Sequence, residues 1–180
     1  MRDLKAWWAR RVTRSGDVGW RLYREVAMAA TTPARFAAFG LDDTPETRFE
    51  LLALHLAAVW SRLEAGGPET ARLRRSLGEA FVADMDASLR DLGAGDLGVG
   101  KRVKALYERL SGRIAAYGPA LAADAEPAAI DAALARNLYK QGPPDDPAAR
   151  DRARAAALAL GAAWRATSDA DILEGKAPHL

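Results

Sequence analysis

Hydrophobic positions recur at steps of three and four along most of the chain, which is the spacing of amphipathic helices. Two such stripes flank a glycine-rich stretch, residues 93–100. The first contains Leu73, Leu77, Phe81, Met85, Ser88 and Leu92, and the second contains Val99, Val103, Leu106, Leu110, Ile114 and Tyr117. Because glycine tolerates positive φ, the stretch between them can end one helix and turn the chain back. We therefore predict an antiparallel helical hairpin over residues 77–117, around which the rest of the chain is organised.

A longer apolar pattern marks the segment 45–65. Thr44 is a capping residue, Pro45 suits the first helical position and Glu46 suits the positive end of a helix, so a helix is predicted to begin here. Gly66-Gly67-Pro68 would end it. Its apolar residues cover most of the helix circumference, which is typical of a buried helix. We expect this helix to form the centre of the core.

Further helices are predicted over about 17–30, 127–139 and 147–165, with a short turn or helix through Phe36 and Phe39 and an exposed loop over 142–147. No segment alternates as a strand does. The predicted fold class is all-α, a single-domain helical bundle with the antiparallel hairpin at its centre. Residues 1–16 would form an N-terminal arm and 17–167 the body. Residues 168–180 offer little to anchor them, so we expect a mobile tail.

The positive charge is concentrated at the N-terminus. Residues 1–24 carry seven Lys or Arg against two Asp, whereas the whole chain has a net charge of only +2. The predicted membrane-surface residues of the arm are Trp7, Trp8, Arg10, Arg11 and Arg14. Basic residues beside tryptophans favour a helix lying on an anionic membrane, but the same tryptophans would serve an arm packed on the body. Both interpretations remain open.

Targeting and membrane-spanning signals are not apparent. The first fifteen residues lack an apolar signal region. The longest apolar run, 51–60, is about half the ~20 residues that a membrane span needs.

The glycine stretch also imitates nucleotide-binding loops. Gly93, Gly95 and Gly98 match G-x-G-x-x-G, and Gly95, Gly100 and Lys101 match G-x-x-x-x-G-K. Both motifs require a strand to enter the loop, and here a helix is predicted to enter it. Arg102 also occupies the place of the Ser or Thr that would hold magnesium. We interpret the stretch as a helix–helix connector and keep a nucleotide-dependent enzyme as the alternative.

The inventory of reactive side chains is small. The chain has no cysteine and two histidines, His55 and His179. His55 lies on the predicted buried helix without a second ligand nearby, which favours a hydrogen-bonded packing residue. We predict no catalytic residue, no metal site and no cofactor, and therefore no enzyme.

Charged residues around the hairpin are better candidates for partner binding. The predicted set is Asp84, Asp86, Arg90, Asp96, Lys101, Arg102 and Lys104. Asp86 and Arg90 are four residues apart and can pair on one helix face. Lys101, Arg102 and Lys104 oppose the macrodipole at the start of their helix, which suggests either a partner or ion pairs with Asp84 or Asp96.

With these residues in place, the chain resembles the ubiquinol-cytochrome c chaperone family over roughly residues 20–140. One matching block runs from Leu22-Tyr23 through Pro33 and Phe36 to 40–44 and 48–56. The other is FVADMDASLRDLGAGDLGVGKRVK at 81–104, and 137–139 is a weaker match. Neither of the departures, at 37–39 and Thr47, touches the hairpin.

This resemblance implies a non-enzymatic helical chaperone that binds newly made cytochrome b during assembly of ubiquinol-cytochrome c reductase, respiratory complex III. It also implies a small partner protein or the ribosome as further contacts, and a bacterial cytoplasmic location at the inner membrane. Because the basic charge is local to the N-terminus, we expect no specific nucleic acid as a partner. From the residues alone, an RNA- or ribosome-binding module using the basic N-terminus remains another alternative.

Overall fold

A computed structural model describes residues 18–93, 95–139 and 142–178, without the side chains of Asp96 and Leu97. Within these ranges the chain forms eight helices and no strand. They are α1 (Val18–Ala30), α2 (Pro33–Phe39), α3 (Pro45–Glu64), α4 (Pro68–Asp91), α5 (Asp96–Ala120), α6 (Pro127–Asn137), α7 (Pro147–Ala166) and α8 (Asp169–Leu173). The predicted all-α helical bundle is confirmed.

Helix α3 lies at the centre of the bundle. It begins with a reciprocal cap, in which the Thr44 hydroxyl accepts from the Thr47 N–H at 3.2 Å and the Thr47 hydroxyl accepts from the Thr44 N–H at 3.0 Å. Every residue from 49 to 59 is buried. Because α1, α4, α5 and α7 all pack on this helix, its apolar circumference is covered on several sides, as predicted.

Helices α4 and α5 form the predicted hairpin, and the connection between them is residues 92–95. Gly93 adopts a φ of 88°, the left-handed conformation that glycine favours. Helix α4 begins at Pro68, earlier than the apolar stripe indicated, because proline suits the first helical position. The first apolar stripe also extends beyond the part of α4 that packs in the bundle, because its last residue, Leu92, is 84% exposed.

A buried carboxylate fixes α5 against α3. Glu50 is 1% exposed. It accepts a hydrogen bond from Arg113 Nε at 2.7 Å and is also paired with Arg109, which in turn reaches Glu46. Burial alone would raise the pKa of Glu50, but the hydrogen bonds from Arg113 and Arg109 outweigh burial and hold that pKa below its usual value.

The C-terminal segment is anchored, contrary to expectation. Ile172 of α8 is fully buried. Arg62 donates to the Thr167 carbonyl at 3.0 Å and pairs with Asp169 at 2.5 Å. Gly175, with a φ of 77°, lies against α1. The expectation that the segment lacks an anchor is therefore wrong for residues 168–178, because its partners come from α1, α3 and α4.

Candidate functional site

An open groove of about 820 Å³ lies between α4 and α5, with Trp60 of α3 in its wall. Its other lining residues are Ala71, Arg74, Arg75, Gly78, Glu79, Val82, Ala83 and Asp86 from α4, and Gly100, Val103 and Tyr107 from α5. Tyr107 is 38% exposed, an unusual exposure for an aromatic ring beside a core. The groove therefore offers apolar surface with charged groups beside it.

Glycine determines how closely Trp60 approaches α4. A Cβ atom at Gly78 would lie 3.2 Å from the Cη2 atom of the Trp60 ring, which is a tight contact. The absence of a side chain at this position lets the half-buried indole lie across the helix. The ring can then serve as a surface for a bound group.

A second groove of about 510 Å³ also has Trp60 in its wall. Its lining residues are Ser61 and Glu64 from α3, and Ser111, Ile114, Ala115, Gly118 and Pro119 from α5. Trp60 lines both grooves. The two therefore meet at this ring and follow the same helix, α5.

Ion pairs flank the first groove. Arg74 pairs with Glu64 at 2.8 Å, which ties α4 to the end of α3. The predicted pair between Asp86 and Arg90 is confirmed at 2.7 Å. Because these groups are partly exposed, each pair contributes little to stability, on the order of 0 to 1 kcal/mol, and remains accessible to a partner.

Asp84 belongs to the interior. It is 3% exposed and accepts a hydrogen bond from the Tyr23 hydroxyl at 2.8 Å. Burial and the Asp84 charge raise the pKa of Tyr23 well above its ordinary value, so the phenol remains a donor. The Tyr23 ring meets Phe81 edge-on, and Phe81 in turn lies against Tyr107 of the groove. The prediction of Asp84 as a surface contact is therefore corrected to an internal contact.

The basic cluster of Lys101, Arg102 and Lys104 is exposed on α5. Lys104 pairs loosely with Glu108 at 3.7 Å. Neither Lys101 nor Arg102 has an ion-pair partner in the part of the chain that the structure describes. The suggested ion pair with Asp84 is not formed because Asp84 is buried beside Tyr23, and the side chain of Asp96 lies outside the description.

The glycine stretch joins two helices. Helix α4 enters it and α5 leaves it, with Gly95 as the N-cap and no side-chain cap. The helix–helix connector is thus confirmed, and the strand that a phosphate-binding loop requires is replaced by α4. The resemblance to a nucleotide-binding loop is therefore limited to the spacing of the glycines.

His55 lies inside the bundle on α3. Its Nδ1 is 2.8 Å from the Leu51 carbonyl oxygen, so Nδ1 carries the proton and donates. This confirms the hydrogen-bonded packing role. Over the described ranges, no three His, Cys, Asp or Glu side chains group as metal ligands would.

The predicted membrane-surface residues fall outside the described residues. These are Trp7, Trp8, Arg10, Arg11 and Arg14, and His179 is also outside. Among the helices that are described, none is long and apolar enough to cross a bilayer.

Comparisons with known proteins agree on one relationship. A family model described as ubiquinol-cytochrome C chaperone matches residues 37–179. The crystal structure of the Cbp3 homolog from Brucella abortus is similar with a TM-score of 0.76 and 31% sequence identity, over 99% of this chain and 97% of that one. No curated protein matches the chain.

Proposed function

Because the chain belongs to the ubiquinol-cytochrome c chaperone family, we propose that it is a non-enzymatic assembly chaperone for complex III whose client is newly made cytochrome b. The family supports the assembly role. The groove beside Trp60 supports binding of a client, because it presents apolar surface that is not covered by the rest of the described chain.

The proposal that the chain binds a client rests on the groove between α4 and α5. A subunit that awaits assembly into a larger complex exposes apolar surface that its final neighbours will later cover. Trp60, Val82 and Tyr107 are at least partly exposed and can cover such a surface, and their burial is the source of affinity. The charged groups around the hairpin then set the register of the client, as polar rims do in protein interfaces.

The proposed registering residues are Asp86, Arg90, Asp96, Lys101, Arg102 and Lys104. Asp96 is included in this set because it is the first residue of α5. Lys101 and Arg102 are the strongest candidates since they are exposed and without ion-pair partners among the described residues. A small partner protein, the ribosome, and the inner membrane through the basic arm are further proposed contacts.

A groove-filling substitution tests the site. Ala71 is exposed and lines the groove, so Ala71→Trp would fill it without disturbing the core. We expect the amount of cytochrome b that co-purifies with the protein to fall at least tenfold. Ala105→Trp is the matched control, because Ala105 is equally an exposed helical alanine but does not line the groove. Equal capture by both variants would place the client elsewhere.

Deleting the protein from its host tests the function as a whole. Assembled complex III and the absorbance of cytochrome b haem should fall, while other respiratory complexes stay near normal. A deletion strain with normal complex III would refute the chaperone assignment.

A further inference from the structure

The two grooves beside Trp60 follow a single face of α5. Gly100, Tyr107, Ser111 and Gly118 line them, at intervals of seven, four and seven residues. At 100° per residue these positions fall within about 40° of one another around the helix. At 1.5 Å per residue they extend over about 27 Å. The grooves are thus two halves of one trough, with the Trp60 ring at its middle.

The length of the trough limits what can fill it. An α-helix of about 18 residues is 27 Å long, and a membrane-spanning helix has about 20 residues. A strand or an irregular segment would bring unpaired backbone N–H and C=O groups against apolar walls, whereas a helix satisfies these groups internally. A single helix of membrane-spanning length therefore fits the trough.

Small residues let such a helix approach α5 closely. The residues of α5 that line the grooves include four small ones, Gly100, Ser111, Ala115 and Gly118, beside Val103, Tyr107, Ile114 and Pro119. A Cβ atom at Gly100 would meet nothing within 4 Å, and one at Gly118 would meet only the Ser61 hydroxyl. Small residues at such spacings allow backbones to approach in membrane helix pairs, where van der Waals contact replaces the hydrophobic effect.

The charges of the trough indicate an uncharged occupant. Arg74 is paired with Glu64, and Asp86 with Arg90. The other charged lining residues, Arg75 and Glu79, are one turn apart on α4 and opposite in sign. A charged group at the centre of the occupant would find no net opposite charge to meet it. An uncharged segment would leave these side chains at the edge of the trough in water.

We propose that the trough holds one uncharged apolar helix of membrane-spanning length, lying along α5 and across the Trp60 ring. The proposal rests on the proposed function, because it specifies which part of the client is held. It also predicts that both grooves are occupied at once. Filling either groove must therefore weaken binding of the same helix.

Synthetic helices of graded length test this directly. The probes are fluorescent Leu/Ala peptides with glutamine flanks and apolar segments of 10, 14, 18 and 22 residues, titrated with the full chain in mild detergent and measured by anisotropy. Affinity should rise up to about 18 residues and then level off. A lysine at the centre of the 18-residue segment should weaken binding at least tenfold. Affinity that stops rising at 10 residues, or tolerates the central lysine, would overturn the proposal.

Two tryptophan variants separate this proposal from the proposed function. Ser111→Trp fills the second groove at an exposed position, as Ala71→Trp fills the first. Both should weaken the 18-residue peptide at least tenfold, while Ala105→Trp should bind as the unchanged chain does. If only Ala71→Trp weakens the peptide and cytochrome b capture, the client occupies the first groove alone. The trough is then refuted and the chaperone function stands.

Discussion

At the scale of single residues, the interior of this protein holds polar groups that the bundle has to satisfy. Glu50, His55 and Asp84 are each at most 3% exposed. Two of them are paired across helices, Glu50 with arginines of α5 and Asp84 with Tyr23 of α1. His55 differs, because its hydrogen bond is to the carbonyl of Leu51 on its own helix. The imidazole of His55 stays neutral because it is buried, and it can take up a proton readily only when the core opens.

His55 makes stability depend on pH. Burial lowers the pKa of His55 to about 4, and the hydrogen bond to Leu51 opposes this only in part. The unfolded chain, with an ordinary pKa near 6.5, binds the proton more readily. Stability is therefore fully present above about pH 6.5 and is lost as the pH falls toward 4, at up to ~1.4 kcal/mol per pH unit.

The measurement is urea unfolding between pH 7 and 4.5 for the unchanged chain and for His55→Leu. The difference in the free energy of unfolding between the two proteins should shift by about 2 to 3 kcal/mol over this range, in favour of the variant at low pH. Carboxylates titrate in both proteins, so they cancel in the difference. Parallel pH profiles would show that His55 is not the titrating group.

At the scale of elements, the packing of α1 on α4 depends on a close approach at Gly19. A Cβ atom there would lie 2.5 Å from the Ser76 Cβ and 2.8 Å from the Ser76 carbonyl carbon. Both distances are shorter than real contacts allow, and the second involves backbone. The helices would have to move apart, which would also disturb the contact between Tyr23 and Asp84.

Gly19→Ala should therefore destabilise the protein by about 1 to 3 kcal/mol, as overpacking does. Gly112→Ala is the matched control, because a Cβ atom at this helical glycine would meet nothing within 4 Å. It should stabilise by about 0.5 to 1 kcal/mol through helix propensity. Urea unfolding of both variants checks the pair. If Gly19→Ala raised the free energy of unfolding as much as Gly112→Ala does, α1 and α4 would not approach each other this closely.

At the scale of the whole molecule, positive charge is concentrated at the N-terminus. Seven Lys or Arg and two Asp lie in residues 1–24, while the net charge of the chain is +2. Residues 25–180 are therefore net negative, and an anionic membrane should attract the N-terminal segment rather than the rest of the chain.

Removing residues 1–14 should lower sedimentation with anionic vesicles several-fold while leaving the melting temperature of the body nearly unchanged. Neutral vesicles should bind the full chain less, and raised salt should release it, because the attraction is screened. Sedimentation of the shortened chain equal to that of the full chain would instead favour an arm that packs on the body.

The sequence by itself determined the helices, the burial of α3 and the connection within the hairpin. These follow from spacing of three and four, from proline at first helical positions and from glycine between stripes, which are local properties. The sequence also limited the possible catalytic and metal sites, because the chain has no cysteine and two histidines as candidate nucleophiles, bases or ligands. Its resemblance to the chaperone family over 81–104 indicated the family that the comparisons then showed.

Only the tertiary structure decided which of these side chains meet. Glu50 meets Arg113 across 63 residues, and Tyr23 meets Asp84 across 61. The place of Asp84 inside the bundle depends on how α1 crosses α4. The groove between α4 and α5 has its shape because Gly78 admits the ring of Trp60, and the C-terminal segment is held because Arg62 reaches Asp169. Periodicity places a residue on a helix face, but the packing angle between helices selects the residue that it contacts.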